Sequence, residues 1–387
     1  MLNFNYLVST RVFFGRESLQ NLGNELKECG ERVLFVSGQG SIKKTGLYDE
    51  IIDIFHQNGF SYVELSGVQP NPRISLVRKG VDLCRKEKID CILAVGGGSV
   101  IDTAKTIATG FYHEGDPWEL FVLGDSSVKK ALPIGTVLTF TGTGSEMNGN
   151  AVISNEETRE KLAIHKDILR PRFSILDPTY TFSVSKHQTA AGTVDIFSHV
   201  LEQYFSPTRE AFVQDRLSEG LLRTCIQYGP VALTAPSDYE ARAQLMWASS
   251  IALNGLLGYG RVSDWATHGI EHALSAMYDV THGVGLAILT PFWMEHVLGD
   301  ETVGKFLEYA KYVWGIEGNN HQTVAKRGIE RTREFFTSLG MPQRLRDVGV
   351  DQNALMTMAQ KAVVHGTLGK FKKLGVQDVL TILENAY

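Results

Sequence analysis

The hydrophobic pattern of the first 180 residues switches repeatedly between two periods, and its short apolar runs end on glycine-rich loops. Arg32-Val33-Leu34-Phe35-Val36-Ser37 is one such run, closed by Gly38. Phe60 to Leu65, Ile89 to Val95 and Ala131 to Phe140 are three more, the last two stopped by Gly96-Gly97-Gly98 and by a Gly/Thr/Ser loop. Runs this short, bounded by turn residues, predict buried strands. Between them lie stretches with helical spacing. Thr45 to Asn58 places Leu47, Ile51, Ile54 and Phe55 on one face; Arg73 to Lys86 follows an X-Pro loop at Gln69-Pro70-Asn71-Pro72; a third stretch runs from Ser99 toward Gly110. Such alternation specifies a parallel sheet with helices on its faces, because a parallel neighbour is reached only through a crossover.

After about Ser183 the pattern changes. Lys186 to Phe205, Ala211 to Tyr228, Asp238 to Leu257 and Thr302 to Thr337 carry helical periodicity, and strand signals nearly vanish. The expected division is an α/β domain over residues 1–180 and an all-helical domain over 181–387, with the boundary near Asp177-Pro178. Hydrophobic residues at 43% of 387 supply a large core and set aside a disordered or fibrous chain. With 38 basic residues against 43 acidic ones, no nucleic-acid footprint is expected. No apolar run reaches the ~18 residues of a membrane span. The opening MLNFNYLVST has no basic residue before Arg11 and reads as folded protein, not as a signal peptide. Cys29, Cys84, Cys91 and Cys225 form no CxxC pair, which predicts reduced thiols in a cytoplasmic setting and no cysteine-bound zinc.

Three glycine loops fall at predicted strand ends: Gly38-Gln39-Gly40-Ser41, Gly96-Gly97-Gly98-Ser99, and residues 139–146, Thr-Phe-Thr-Gly-Thr-Gly-Ser-Glu. The carboxyl ends of strands are where open α/β sheets bind ligands. Glycine lets backbone N–H groups approach phosphate oxygens, and a helix opening at Ser99 adds the positive end of its dipole. A diphosphate is the expected guest. Residues 38–45 nearly match a P-loop, but Lys43 replaces its second glycine, and GxGxxG is absent in its usual form. The loops therefore read as a nucleotide site, with a dinucleotide favoured.

The helical half carries a second constellation. Asp195 and His199 lie four residues apart on one helix face, as do His268 and His272 in His268-Gly269-Ile270-Glu271-His272, and His282 precedes an apolar helix. One carboxylate with several imidazoles suits Zn²⁺ or Fe²⁺ and not Ca²⁺ or Mg²⁺. The alternatives at this level are a helical ion pair and a closed structural site. A protease reading fails because Glu271 adjoins the second histidine, unlike HExxH. His56, His113, His165, His187, His296, His321 and His365 stand outside any cluster and read as core or capping residues.

Gly97-Gly98-Ser99-x-x-Asp102-x-x-Lys105, Thr143-Gly144-Ser145-Glu146, Ala191-Gly192-x-x-Asp195-x-x-x-His199 and His268-x-x-x-His272 together resemble the iron-containing (group III) alcohol dehydrogenases. The likeness runs from Val12-Phe13-Phe14-Gly15 to the C-terminus and is greatest for the NAD(P)H-dependent butanol dehydrogenase and aldehyde reductase branch. It implies a dinucleotide-binding domain with a parallel sheet, a helical metal-binding domain of dehydroquinate synthase-like architecture, and a homodimer. It implies that Asp195, His199, His268 and His282 bind Fe²⁺ or Zn²⁺, and that His272 relays a proton. It places Asp102 near the cofactor at the start of its helix, as a further catalytic candidate. Gly97, Gly98 and Ser99 would wrap the diphosphate of NADP or NAD, Thr139 and Thr143 would hydrogen-bond along the cofactor, and Gly38, Gln39, Gly40 and Ser41 would meet the adenine ribose. That last loop has no acid to repel a 2′-phosphate, and Lys43 and Lys44 follow it, so NADPH is expected to serve at least as well as NADH. The expected substrates are short-chain aldehydes and primary alcohols. Trp247, Leu256, Leu257, Tyr259 and Trp265 are expected to favour small apolar groups around the motifs. A dehydroquinate synthase-like lyase and a non-catalytic metal and nucleotide binding protein are the rival readings.

Overall fold

The computed structural model describes residues 1–387. Eight strands are β1 (Arg11–Phe14), β2 (Arg32–Ser37), β3 (Ser61–Leu65), β4 (Cys91–Gly96), β5 (Ile134–Leu138), β6 (Asn150–Asn155), β7 (Glu160–His165) and β8 (Phe173–Leu176). Helices α1 (Leu22–Lys27), α2 (Ser41–Lys44), α3 (Leu47–Asn58), α4 (Ile74–Glu87), α5 (Gly98–Gly110) and α6 (Glu119–Leu123) alternate with them. Nine helices follow: α7 (Lys186–Tyr204), α8 (Phe212–Thr234), α9 (Tyr239–Leu253), α10 (Ala266–Tyr278), α11 (His282–Val297), α12 (Val303–Trp314), α13 (His321–Ser338), α14 (Leu355–Ala362) and α15 (Val376–Ala386). None is long and apolar enough to cross a membrane.

Six strands form one sheet in the order β1-β8-β5-β4-β2-β3, and every pairing in it is parallel. All six residues of β4 and all five of β5 are buried, as expected of parallel strands covered on both faces. From β2 the chain moves outward to β3 at the sheet edge, then returns to β4 on the other side of β2, where Val36 pairs with Ala94. That reversal is a topological switch point, and the loops that leave β2 and β4 diverge from it.

Two compact units result. One comprises Leu7–Val184 with Ser237–Ser250; the other comprises Met1–Tyr6, Ser185–Pro236 and Ile251–Tyr387. Most of α9 thus belongs to the sheet unit, where its Met246 joins the apolar core beside Ala151 and Leu176. The α/β pattern matches the predicted strands, while β1, β6, β7 and β8 were not predicted. Two of these are only four residues long, and β7 reads Glu-Lys-Leu-Ala-Ile-His, too mixed in polarity to stand out. The helical stretch from Thr302 to Thr337 is two helices, divided at Gly315, whose φ of 69° ends α12 in the left-handed region.

In the helical unit α7 is buried almost all round from Thr189 to Tyr204, and α11 is buried from Gly283 to Met294. Helices buried on every side lie inside a bundle, and the polar groups that α7 buries there, Asp195, His199 and Glu202 among them, need partners. These two meet at close range: a β-carbon on Gly283 would lie 2.0 Å from the Ala191 carbonyl oxygen. Only hydrogen at that position lets the first turn of α11 rest on the backbone of α7. We expect Gly283→Ala to push the helices apart and destabilise the protein by about 1–3 kcal/mol, the usual cost of overpacking a core. Thermal unfolding measures it; an unchanged melting temperature would refute the close-approach role.

Candidate active site

In the sheet unit, the three glycine loops follow β2, β4 and β5, with β4 lying between the other two strands. Gly40, with φ 107°, turns the first loop into α2. Gly97 precedes α5, and a β-carbon on Gly98 would lie 2.3 Å from Thr143 Oγ1, so the second loop packs on the third. The Thr139 N–H donates to the Gly96 carbonyl at 3.0 Å, a second tie between them. The first turn of α5 presents N–H groups that its own helix leaves without partners. Ser99, Thr139 and Thr143 are half-buried beside them, while Gln39 and Ser41 are exposed.

Behind these loops lies a buried polar network. The Lys105 ammonium is fully buried and donates to Ser145 Oγ at 2.7 Å, Asn148 Oδ1 at 3.1 Å and the Asn150 carbonyl at 2.8 Å. Ser145 Oγ in turn donates to Asp102 Oδ1 at 2.6 Å, and the Val152 N–H donates to Asp102 Oδ2 at 3.0 Å. Both oxygens of Asp102 are thus engaged inside the fold, and the residue is only 8% exposed. Asn148 Nδ2 donates to the carbonyls of Thr143 and Gly144, which shapes the third loop. Glu146, 1% exposed, accepts from the Ser250 hydroxyl. Burial pushes the carboxyls of Asp102 and Glu146 up and pulls the Lys105 ammonium down to about 7, each shift being opposed by the neighbouring opposite charge. The spacing Asp102-x-x-Lys105 does not by itself show this role, since the partners of Lys105 lie 40 to 45 residues further along the chain. We expect Lys105→Met to leave two buried carboxyls without their cation and to destabilise the sheet unit by about 3–5 kcal/mol. The urea midpoint of the variant checks this.

Lys43 also finds a partner that sequence spacing did not show. Its ammonium lies 3.8 Å from Glu64 Oε2 of β3 and 4.4 Å from the centre of the Tyr48 ring. A carboxylate therefore stands near the first glycine loop although the loop contains none.

In the helical unit α7 supplies Asp195 and His199, α10 supplies His268, and His282 opens α11. One ligand atom from each of the four lies within 4.8 Å of the others. The His199 and His268 rings stack at 4.7 Å between centroids, and those of His268 and His282 lie 5.2 Å apart. Asp195 Oδ1 is 3.5 Å from His199 Nδ1 and 3.6 Å from His282 Nε2. These separations are long for hydrogen bonds. They are close to ~3.4 Å, the edge of a tetrahedron of donors at ~2.1 Å from a central ion.

Two more carboxylates complete the cluster. Glu202 Oε1 lies 3.1 Å from His268 Nδ1 and accepts from the His268 N–H at 2.9 Å. Glu271 Oε2 is hydrogen-bonded to His282 Nδ1, and its Oε1 accepts from the Ser275 hydroxyl. Asp195, Glu202 and Glu271 are 4%, 2% and 0% exposed. Burial raises the Glu202 carboxyl to about 7, against the hydrogen bonds it accepts from His268 and its neighbours. Buried carboxylates call for an offsetting charge, and a divalent cation among one carboxylate and three imidazoles meets both the charge and the donor chemistry of the site. His272 lies on the more open side, half-buried, with its ring 5.8 Å from that of His282.

Of the aromatic residues expected near the motifs, Trp265 packs its ring on the histidines, 5.2 Å from that of His268. Trp247 packs on Phe14 in the sheet unit, Tyr259 packs on Phe4 and Tyr6, and Leu257 is core. Sequence reasoning did not single out Glu202. Its position, three residues after His199 and seven after Asp195, placed it on the same helix face.

Comparison with known proteins agrees in both halves. Residues 9–178 match the family model described as iron-containing alcohol dehydrogenase, and residues 189–387 match its C-terminal counterpart. The chain is 52% identical to NADH-dependent butanol dehydrogenase A of Clostridium acetobutylicum, over the full length of both. It is 42% identical to the NADPH-dependent aldehyde reductase YqhD of Escherichia coli, over 95% of this chain and 94% of that one. The crystal structure of an NADH-dependent butanol dehydrogenase A from Thermotoga maritima superposes with a TM-score of 0.95 at 40% identity, covering 100% of this chain and 99% of the other.

Proposed function

The chain belongs to the iron-containing alcohol dehydrogenase family, and we propose that this oxidoreductase interconverts short-chain aldehydes and primary alcohols, butanal and butanol among them, with a nicotinamide cofactor. The convergence of Asp195, His199, His268 and His282 carries the reading, because it gathers donors suited to a divalent metal from residues up to 87 positions apart in the chain. These four residues would hold the ion, Fe²⁺ by the chemistry of the family, with Zn²⁺ as a competitor for the same donors. When bound, the ion and the nicotinamide supply a Lewis acid for the carbonyl oxygen and a hydride for the carbonyl carbon.

The chain's own groups do the rest. Gly97, Gly98 and Ser99 bind the diphosphate through backbone N–H groups at the start of α5. Thr139 and Thr143 offer hydroxyls along the cofactor. Asp102 and Lys105 act from behind, by holding the loop that carries Thr143, Gly144 and Ser145. His272 stands beside the ligand set without being one of the four, and its imidazole holds and passes the proton that the alkoxide requires. The protein is proposed to work as a homodimer in the cytoplasm, a setting that accords with four free cysteines.

Consumption of NADH and NADPH on adding butanal to Fe²⁺-reconstituted protein tests the activity, and inertness with both cofactors overturns it. Two histidine variants separate ligand from relay. His268→Ala is expected to lose the ion and nearly all turnover. His272→Ala is expected to keep the ion, lower turnover ~10²-fold or more and change the pH profile. Metal analysis of both decides; equal loss of metal from His272→Ala makes His272 a ligand.

Cofactor choice follows from the first glycine loop. Without an acid at Gly38–Ser41, the chain is proposed to accept NADPH at least as well as NADH, and Glu64 moderates this by engaging Lys43. Gln39→Asp brings a carboxylate to the loop itself. A repulsion of roughly 1 kcal/mol toward a 2′-phosphate in water shifts the kcat/KM ratio about fivefold toward NADH. Parallel kinetics measure the ratio, and a wild type strongly selective for NADH contradicts this reading.

A further inference from the structure

His268-Gly269-Ile270-Glu271-His272 contains a glutamate that fits no protease pattern, and α7 carries Glu202 one turn beyond His199. Neither residue belongs to the four-atom donor set. Both are almost fully buried, and each meets the Nδ1 of a different histidine of that set: Glu202 meets His268, and Glu271 meets His282.

An imidazole has two nitrogens, and a partner on one fixes the tautomer and the ring orientation presented by the other. With Nδ1 of His268 and His282 given over to carboxylates, Nε2 is the nitrogen left to face an ion. For His282 the geometry is direct, since its Nε2 lies 3.6 Å from Asp195 Oδ1 on the side away from Glu271. The pattern runs from element to element. Glu202 on α7 orients a ligand on α10, and Glu271 on α10 orients a ligand on α11. Ser275, one turn after Glu271, donates its hydroxyl to Glu271 and so holds the orienting group itself. His199 is arranged differently, with its Nδ1 on the Asp195 side.

We propose that Glu202 and Glu271 are the positioning residues of the metal centre, setting its affinity and ligand geometry by orienting His268 and His282. This rests on the metal-centre reading above. Second carboxylates of this kind typically change metal affinity by ~10- to 100-fold when removed. The negative charge also raises the basicity of the imidazole, so an amide that keeps the acceptor oxygen should retain only part of the effect.

Co²⁺ is the probe, because its visible absorption reports ligand geometry independently of turnover. Wild-type protein, Glu202→Gln, Glu271→Gln and Glu271→Ala are stripped of metal and titrated with Co²⁺ against a competing chelator. Circular dichroism confirms that each is folded, and the isosteric glutamine variants decide the matter should Glu271→Ala not fold. One equivalent is expected to bind the wild type. The glutamine variants are expected to bind roughly tenfold more weakly with an altered band, and Glu271→Ala up to ~100-fold more weakly. A wild type that takes up no Co²⁺ overturns the metal-centre reading and this inference with it. A wild type that binds one equivalent, beside glutamine variants with the same affinity and band, overturns this inference alone.

Discussion

The candidate metal site depends on one close approach of two backbones. Gly283 lies where a β-carbon would be 2.0 Å from the Ala191 carbonyl, so α11 begins directly on α7. His282 is the residue before that contact, and Asp195 is one helical turn beyond Ala191. A wider spacing between the helices would carry His282 away from Asp195 and His199. Both helices are buried around most of their circumference, and the burial of their apolar residues gives the contact its driving force. The chemistry of the donors would be useless without this steric permission, which a single hydrogen atom confers.

Each unit buries charge, and the two do so by different means. In the sheet unit, Asp102, Lys105 and Glu146 lie in one network, where a lysine side chain provides the counter-charge and Ser145 relays between ammonium and carboxylate. The result is a rigid loop, since Asn148 and Ser145 have their hydrogen bonds committed to it. In the helical unit, Asp195, Glu202 and Glu271 gather around imidazoles, a set whose charge is met by a divalent cation. A buried lysine makes a scaffold; imidazoles, which are neutral donors near pH 7, make a site that takes a ligand.

The glycine loops owe their function to strand order. Each one alone is a turn that many folds contain. The sheet order sets β2, β4 and β5 side by side, and the loop after β4 packs on the loop after β5 through Gly98 and Thr143. The start of α5 then adds backbone donors and a dipole at the same end of the sheet. A diphosphate is recognised by such an assembly and not by any one of its loops.

Much of this was legible in the sequence for a physical reason: helical and strand periods are local, and they expose core-facing residues directly. The helices bearing Asp195, His199, His268 and His272, the strands before the three glycine loops, and the donor types suited to a divalent ion all follow from residues close together in the chain. Local pattern failed where segments were short or mixed, as in β1, β7 and β8, and where one glycine, Gly315, divided a continuous helical stretch. Tertiary structure alone decided the rest. It brought Glu64 to Lys43, committed both oxygens of Asp102 inside the network of Lys105, packed Trp247 on Phe14 and Tyr259 on Phe4 and Tyr6, and put Glu202 and Glu271 on the far nitrogens of two histidines. Each of these is a contact between residues whose separation in the chain carries no periodic signal, so only the packing of one element on another could specify it.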